Sequence, residues 1–190
     1  MKTNRLEAFS DGVLAIIITI MVLELKTPKE VTMHALIDEI PLFFSYLISF
    51  LYIGIYWNNH HHLFQITEKV NGKILWANLH LLFWLSLIPF ATSWIGENHI
   101  VSLPIALYGF ILLMCGLAFF ILQKVIINHH DKDFALRKAI GKDIKGKVSL
   151  FLYTAGLLLS FVEPWMAIGC YVFVAIMWVV PDKRIEKNIE

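Results

Sequence analysis

Three groups of polar side chains interrupt long apolar runs of the sequence, and they are the residues whose types could support chemistry. One group follows the N-terminus, one lies in YWNNHHHLF and one in WANLHLLFW. The candidates are Arg5, Ser10, Asp11, Trp57, Asn58, His61, Trp76, Asn78 and His80. Polar groups in apolar surroundings must hydrogen-bond, bind ions or carry protons. We therefore expect these residues to meet.

The chemistry of such a cluster has three interpretations. We favour a hydrogen-bonded network that fixes the first apolar segment against the next two. Proton-coupled transport through Asp11 and the histidines is an alternative. A haem held by His61 and His80, or another histidine-ligated metal, is a further one. Consecutive histidines point to different faces of a helix, so the HHH run is not one ligand set.

The elements that must position these residues are membrane helices. Of the 190 residues, 58% are hydrophobic and 16% are charged, which is typical of a polytopic membrane protein. A spanning helix needs about 20 mostly apolar residues. The windows that meet or approach this length lie near 5-25, 36-64, 74-95, 101-125, 148-163 and 165-181. We predict one all-α unit of six transmembrane helices over residues 1-190, the last two forming a hairpin around Glu163 and Pro164.

The basic residues predict the orientation. With six spans, 14 of the 16 lysines and arginines fall on one side, leaving Lys26 and Lys29 on the other. By the positive-inside rule both termini are cytoplasmic, and we expect a multi-pass protein of the plasma membrane. The net charge of +1 gives no nucleic-acid footprint. No catalytic triad or phosphate-binding loop is visible, so we do not expect an enzyme.

An apolar stripe follows the first polar group. At about 100° per residue, four side chains fall within about 100° of one another on the first helix. They are Ile16, Thr19, Ile20 and Leu23. Asp11 lies off this stripe, so one helix offers the stripe to one neighbour and the acid to another. By periodicity alone the stripe is a packing seam.

The first segment resembles a known family. Arg5, Phe9, Ser10 and Asp11 form the pattern Arg-x-x-x-Phe-Ser-Asp, which closes into Gly-Val-x-Ala-Ile. This pattern resembles helix one of the prokaryotic transmembrane protein 175 family, relatives of the endosomal and lysosomal potassium channel of animals. YWNNHHHLF and WANLHLLFWLSLIPFAT are similar to the same family. The resemblance is strong over the first half of the chain and extends to the second half only in hydropathy.

The resemblance implies a six-helix subunit of a homotetramer, with four copies of helix one lining a potassium-permeable pore in the lipid bilayer. Ile16 would form the main constriction, Ile20 and Leu23 further apolar rings, and Thr19 a hydroxyl ring linked to cation preference. The polar candidates would fix helix one. Nothing in the sequence resembles a carbonyl filter such as TVGYG. We expect no cofactor other than the permeant K⁺.

Overall fold

The computed structural model describes residues 3–67, 69–98, 100–130 and 143–179, and these ranges form a helical bundle without strands. The helices are α1 (Asn4–Leu23), α2 (Met33–Asp38), α3 (Ile40–Gln65), α4 (Gly72–Ser86), α5 (Ile88–Asn98), α6 (Ser102–His129), α7 (Ile144–Leu159) and α8 (Pro164–Val179). The prediction of an all-α protein is confirmed.

Two of the predicted helices are each divided in two. The segment predicted at 36-64 begins as the short α2 and restarts as α3 after Glu39, with Pro41 in the first turn. The segment predicted at 74-95 is interrupted at Leu87, between α4 and α5. Pro89 has no N–H to donate to the carbonyl of Leu85, so the hydrogen-bond ladder cannot continue unbroken there.

α7 begins and ends earlier than expected, and α8 begins one residue earlier, at Pro164, whereas residues 180 and 181 of the predicted helix lie outside the described residues. α7 starts at Ile144 rather than near 148, because the Asp143 carboxylate accepts a hydrogen bond from the Gly146 N–H at 3.1 Å and caps the first turn. α7 ends at Leu159, and a turn over residues 160–163 leads into Pro164 at the start of α8. Proline is favoured at a first helical position, where no N–H is needed.

Four segments within the described ranges are long and apolar enough to cross a membrane: Asn4–Leu23, Met33–Gln65, Gly72–Asn98 and Ser102–His129. Within the described residues, which stop at Val179, the remaining two helices α7 and α8 have 16 residues each. That is shorter than the roughly 20 residues that span a bilayer at right angles. The six predicted segments therefore comprise four that are long and apolar enough to span a membrane and two shorter ones that form the α7–α8 hairpin.

α6 forms the centre of the bundle. It packs against α4, α5, α7 and α8, and Leu112, Cys115 and Leu122 on it are completely buried. α1 lies at the edge, against α3, α4 and α5. An edge helix buries one face within its own chain, so the opposite face of α1 is left for another surface.

Candidate functional site

The outward face of α1 carries the predicted apolar stripe. Ile16 is 60% exposed, Ile20 44% and Leu23 75%. Thr19 is also exposed, and its hydroxyl donates to the Ala15 carbonyl at 2.8 Å. That bond satisfies the hydroxyl hydrogen and leaves oxygen lone pairs on the outer surface. Within one chain, no other described residue packs over this face of α1.

The opposite face of α1 is packed into the bundle. Its buried residues are Leu6, Ser10, Leu14, Ile17 and Met21. Their spacing of three and four residues is that of one helix face. Ser10 lies about 180° around the helix from Thr19 at about 100° per residue. The helix therefore separates a buried face containing one polar residue from an exposed stripe.

A buried hydrogen-bond chain joins α1, α4 and α3. The Asn78 amide donates to the Ser10 hydroxyl at 2.9 Å, and the Ser10 hydroxyl donates to the Leu6 carbonyl at 2.8 Å. The Asn78 Oδ1 atom lies 2.7 Å from His60 Nε2. Since the amide oxygen only accepts, this contact assigns the proton to Nε2 of His60. Ser10, Asn78 and His60 are all buried, so each depends on the others for its hydrogen bonds.

A second polar group lies nearer the surface, where α1 meets α3. The Trp57 indole N–H donates to the Asp11 carboxylate at 3.1 Å. Trp57 stacks on His61, with ring centroids 6.2 Å apart and planes inclined by 17°. His61 Nδ1 lies 3.8 Å from a carboxylate oxygen of Glu7. Asp11 and Trp57 are both exposed, so this group is an edge contact rather than a core.

Four of the predicted network residues are not brought into either group. Arg5 and Trp76 are exposed, and Asn58 is half-buried; none of the three makes a side-chain hydrogen bond or ion pair within the described residues. At about 100° per residue Arg5 lies only about 20° from Ile16, so it belongs to the outward face of α1. His80 accepts from the Trp84 indole at 2.9 Å on its own helix.

The ring nitrogens proposed as metal or haem ligands already have partners. His61 Nε2 lies 2.8 Å from the Gln65 amide nitrogen, and His80 Nε2 accepts from Trp84. Each histidine is therefore bonded to the residue four positions further along its own helix. Within the described ranges no three histidine, cysteine or acidic side chains gather as a metal-binding group. The arrangement gives the haem interpretation no support.

Sequence reasoning selected His61 and missed His60 and Glu7. The buried face of α3 runs through Tyr52, Tyr56 and His60, and not through His61. Tyrosines stand four and eight positions before His60, and this i, i+4 series of large side chains was the available signal.

Comparison with known proteins identifies the family. Residues 5–89 match the family model described as "Endosomal/lysosomal potassium channel TMEM175". The chain is 55% identical to "Potassium channel HX13_20290" of Chryseobacterium sp. over 190 residues, covering 100% of this chain and 99% of that protein. It is 28% identical to "Endosomal/lysosomal proton channel TMEM175" of Rattus norvegicus over 134 residues, covering 67% of this chain and 26% of that protein.

A solved structure shares the fold. The crystal structure of a lysosomal potassium-selective channel TMEM175 homolog from Chamaesiphon minutus superposes with a TM-score of 0.83 at 29% identity, covering 95% of this chain and 97% of that one. The similarity thus extends through α7 and α8, beyond the half of the chain that carries the helix-one pattern. The chain belongs to the TMEM175 family of membrane ion channels.

Proposed function

We propose that the chain is the subunit of a potassium-permeable channel, a homotetramer in which α1 of each copy lines a central pore. The names of the Chryseobacterium relative and of the Chamaesiphon channel support potassium as the permeant ion. The observation that carries the pore assignment is the exposed stripe of Ile16, Thr19, Ile20 and Leu23 on α1.

The chemistry of the stripe suits a gated cation path. Rings of Ile16, Ile20 and Leu23 would close a narrow bore by dewetting, with Ile16 as the principal constriction. Thr19 lies between two of these rings, and its lone pairs could replace part of the hydration shell of an ion. Selectivity that rests on hydroxyl groups rather than a carbonyl cage should favour potassium over sodium only moderately.

The polar chain supplies the fixed rotation that such a helix needs. Because Ser10 is bonded to Asn78 on the side opposite Thr19, turning α1 would break a buried hydrogen bond. Trp57 and Asp11 add a second contact at the edge. We infer that both groups orient α1 rather than conduct ions.

The topology remains as proposed from the basic residues: a multi-pass plasma-membrane protein with both termini in the cytoplasm. Assembly needs no cofactor in this scheme. The mass of the detergent-solubilised complex tests directly whether four copies of the chain assemble. A dimer or monomer that still conducts would contradict the tetrameric pore.

Ile16→Asn tests the pore assignment, and Ile176→Asn is a matched control. Ile176 lies on α8 and is 62% exposed, against 60% for Ile16. Potassium flux and reversal potentials are measured in liposomes containing equal amounts of folded protein. We expect Ile16→Asn to raise potassium flux by wetting the constriction, and Ile176→Asn to leave it unchanged. Equal effects of the two substitutions, or no cation flux from the wild type, would reject α1 as the pore helix.

A second candidate function is proton permeation. It is favoured by the name of the rat relative, a proton channel, although this chain spans about a quarter of that protein. Reversal potentials measured under a pH gradient at equal potassium concentrations distinguish the two ions. Saturable uptake of a solute driven by the pH gradient would instead indicate the proton-coupled transporter.

A further inference from the structure

A small cavity lies among α3, α6, α7 and α8, away from α1. Its volume is about 90 Å³. Because about 10–15 Å³ suffices for one water molecule, the cavity can admit a larger group. Its inner wall is aromatic and includes Tyr52, Tyr56, Tyr153 and Trp178. Such a wall suits an apolar segment.

One of the residues lining the cavity, Gln123, has an amide with no hydrogen-bond partner among the described residues. The residue as a whole is only 9% exposed. The amide is not fully enclosed, so a ligand oxygen in the cavity can accept a hydrogen bond from it. Asn59, also at the cavity, donates its amide to the Ile55 carbonyl at 2.8 Å. Gln123 is therefore the donor available to an occupant.

The charges that the described residues place around the mouth of the cavity are predominantly positive. Lys147 lines the cavity and is exposed, and Lys124 and Lys145 lie over the lining rings of Phe120 and Trp178, at 4.4 and 5.7 Å from the ring centroids. The nearby carboxylate, Asp143, caps the first turn of α7. Among the described residues at the mouth, Lys147 and Lys124 against the one carboxylate of Asp143 favour an anionic group.

We propose that this cavity binds an anionic phospholipid. An oxygen of its phosphodiester or ester group accepts from Gln123, Lys147 neutralises the phosphate, and the first methylenes of one acyl chain enter among the tyrosines and Trp178. The combination of an accessible amide, a basic rim and an aromatic interior matches the boundary between headgroup and tails. By the proposed topology the lipid belongs to the cytoplasmic leaflet. Anionic lipids give that leaflet the negative surface potential that attracts basic segments.

The site is tested by lipid retention, which is independent of conduction. Protein in dodecyl maltoside is titrated with dioleoyl phosphatidylglycerol or dioleoyl phosphatidylcholine, and bound lipid per chain is counted by native mass spectrometry. We expect phosphatidylglycerol to bind preferentially. Lys147→Gln and Gln123→Leu should each weaken its binding about fivefold. The control Lys73→Gln removes an exposed lysine from the first turn of α4, outside the cavity, and should change nothing.

Three outcomes overturn the proposal. Equal binding of both lipids shows that the headgroup is not recognised. Equal losses in Lys147→Gln and Lys73→Gln show diffuse surface attraction instead of a site. Unchanged binding in Gln123→Leu shows that the Gln123 amide does not contact the lipid. Circular dichroism verifies folding, and if Gln123→Leu does not fold, the comparison of the two exposed lysines decides.

Discussion

Replacing Asn78 by leucine tests whether the buried polar chain holds α1 in place. The substitution keeps a similar side-chain volume and removes the bonds to Ser10 Oγ and His60 Nε2, at 2.9 and 2.7 Å. Interhelical hydrogen bonds in membrane proteins contribute about 0.6 kcal/mol on average and about 1.7 at most. His60 is also left buried without its partner. We expect the free energy of unfolding to fall by about 2 kcal/mol.

Asn58→Leu is the matched control for this substitution. Asn58 is half-buried on α3 and its side chain makes no hydrogen bond within the described residues. Reversible unfolding in mixed micelles, followed by far-ultraviolet circular dichroism, gives both stabilities. The control should change the free energy of unfolding by less than about 0.5 kcal/mol. Equal losses in the two variants would refute a specific role for the chain.

A double-mutant cycle assigns the effect to the bond itself. Ser10→Ala removes the acceptor of the Asn78 amide, and the variants are measured singly and together. We expect a coupling free energy of about 0.6 kcal/mol between the two positions. Additive losses would mean that Asn78 stabilises the bundle without holding α1, and the orientation argument would fail.

Two further substitutions, with Gly169→Ala as a control, test the packing around Tyr171. A Cβ atom at Gly109 would lie 1.8 Å from the Tyr171 hydroxyl oxygen, so Gly109→Ala should lower the free energy of unfolding by about 1–3 kcal/mol. A Cβ atom at Gly169 would meet no atom within 4 Å, so Gly169→Ala should raise the free energy of unfolding by up to about 1 kcal/mol. Tyr52→Phe removes the 2.6 Å bond to the Tyr171 carbonyl and should cost about 1 kcal/mol. Thermal unfolding in micelles measures all three, and a neutral Gly109→Ala would show that Tyr171 can move aside.

Much of the fold could be predicted because hydrophobic length is a strong signal. The helical segments and the hairpin turn at Pro164 follow from apolar runs and proline placement. The interruption at Leu87 was missed, since α4 and α5 read as one apolar run. Hydropathy counts apolar residues and is insensitive to a break that leaves both halves apolar.

The hydrogen-bond partners of the polar residues were harder to predict than which polar residues would matter. Asn78 and Ser10 were selected as polar residues in apolar helices, and they lie in one hydrogen-bond chain. His60 was missed because residue type does not distinguish three consecutive histidines. The rotation of α3 decides which of them faces inward. The histidine run alone does not indicate that rotation, whereas the spacing of Tyr52 and Tyr56 before His60 does.

The face of α1 that no other described residue covers is expected to meet either lipid or other copies of the chain, and its polar residues do not decide which. Thr19 bonds to its own backbone and so tolerates hydrocarbon, and Arg5 lies in the first turn, within reach of water. An asparagine amide, however, costs free energy in hydrocarbon and little in a wetted or polar-lined bore. Ile16→Asn should therefore preserve the free energy of unfolding if this face lines a pore, whereas Ile176→Asn, on an exposed face of α8 that we expect to meet lipid, should lower it. Equal destabilisation of both variants would place α1 against lipid, whatever the flux measurements give.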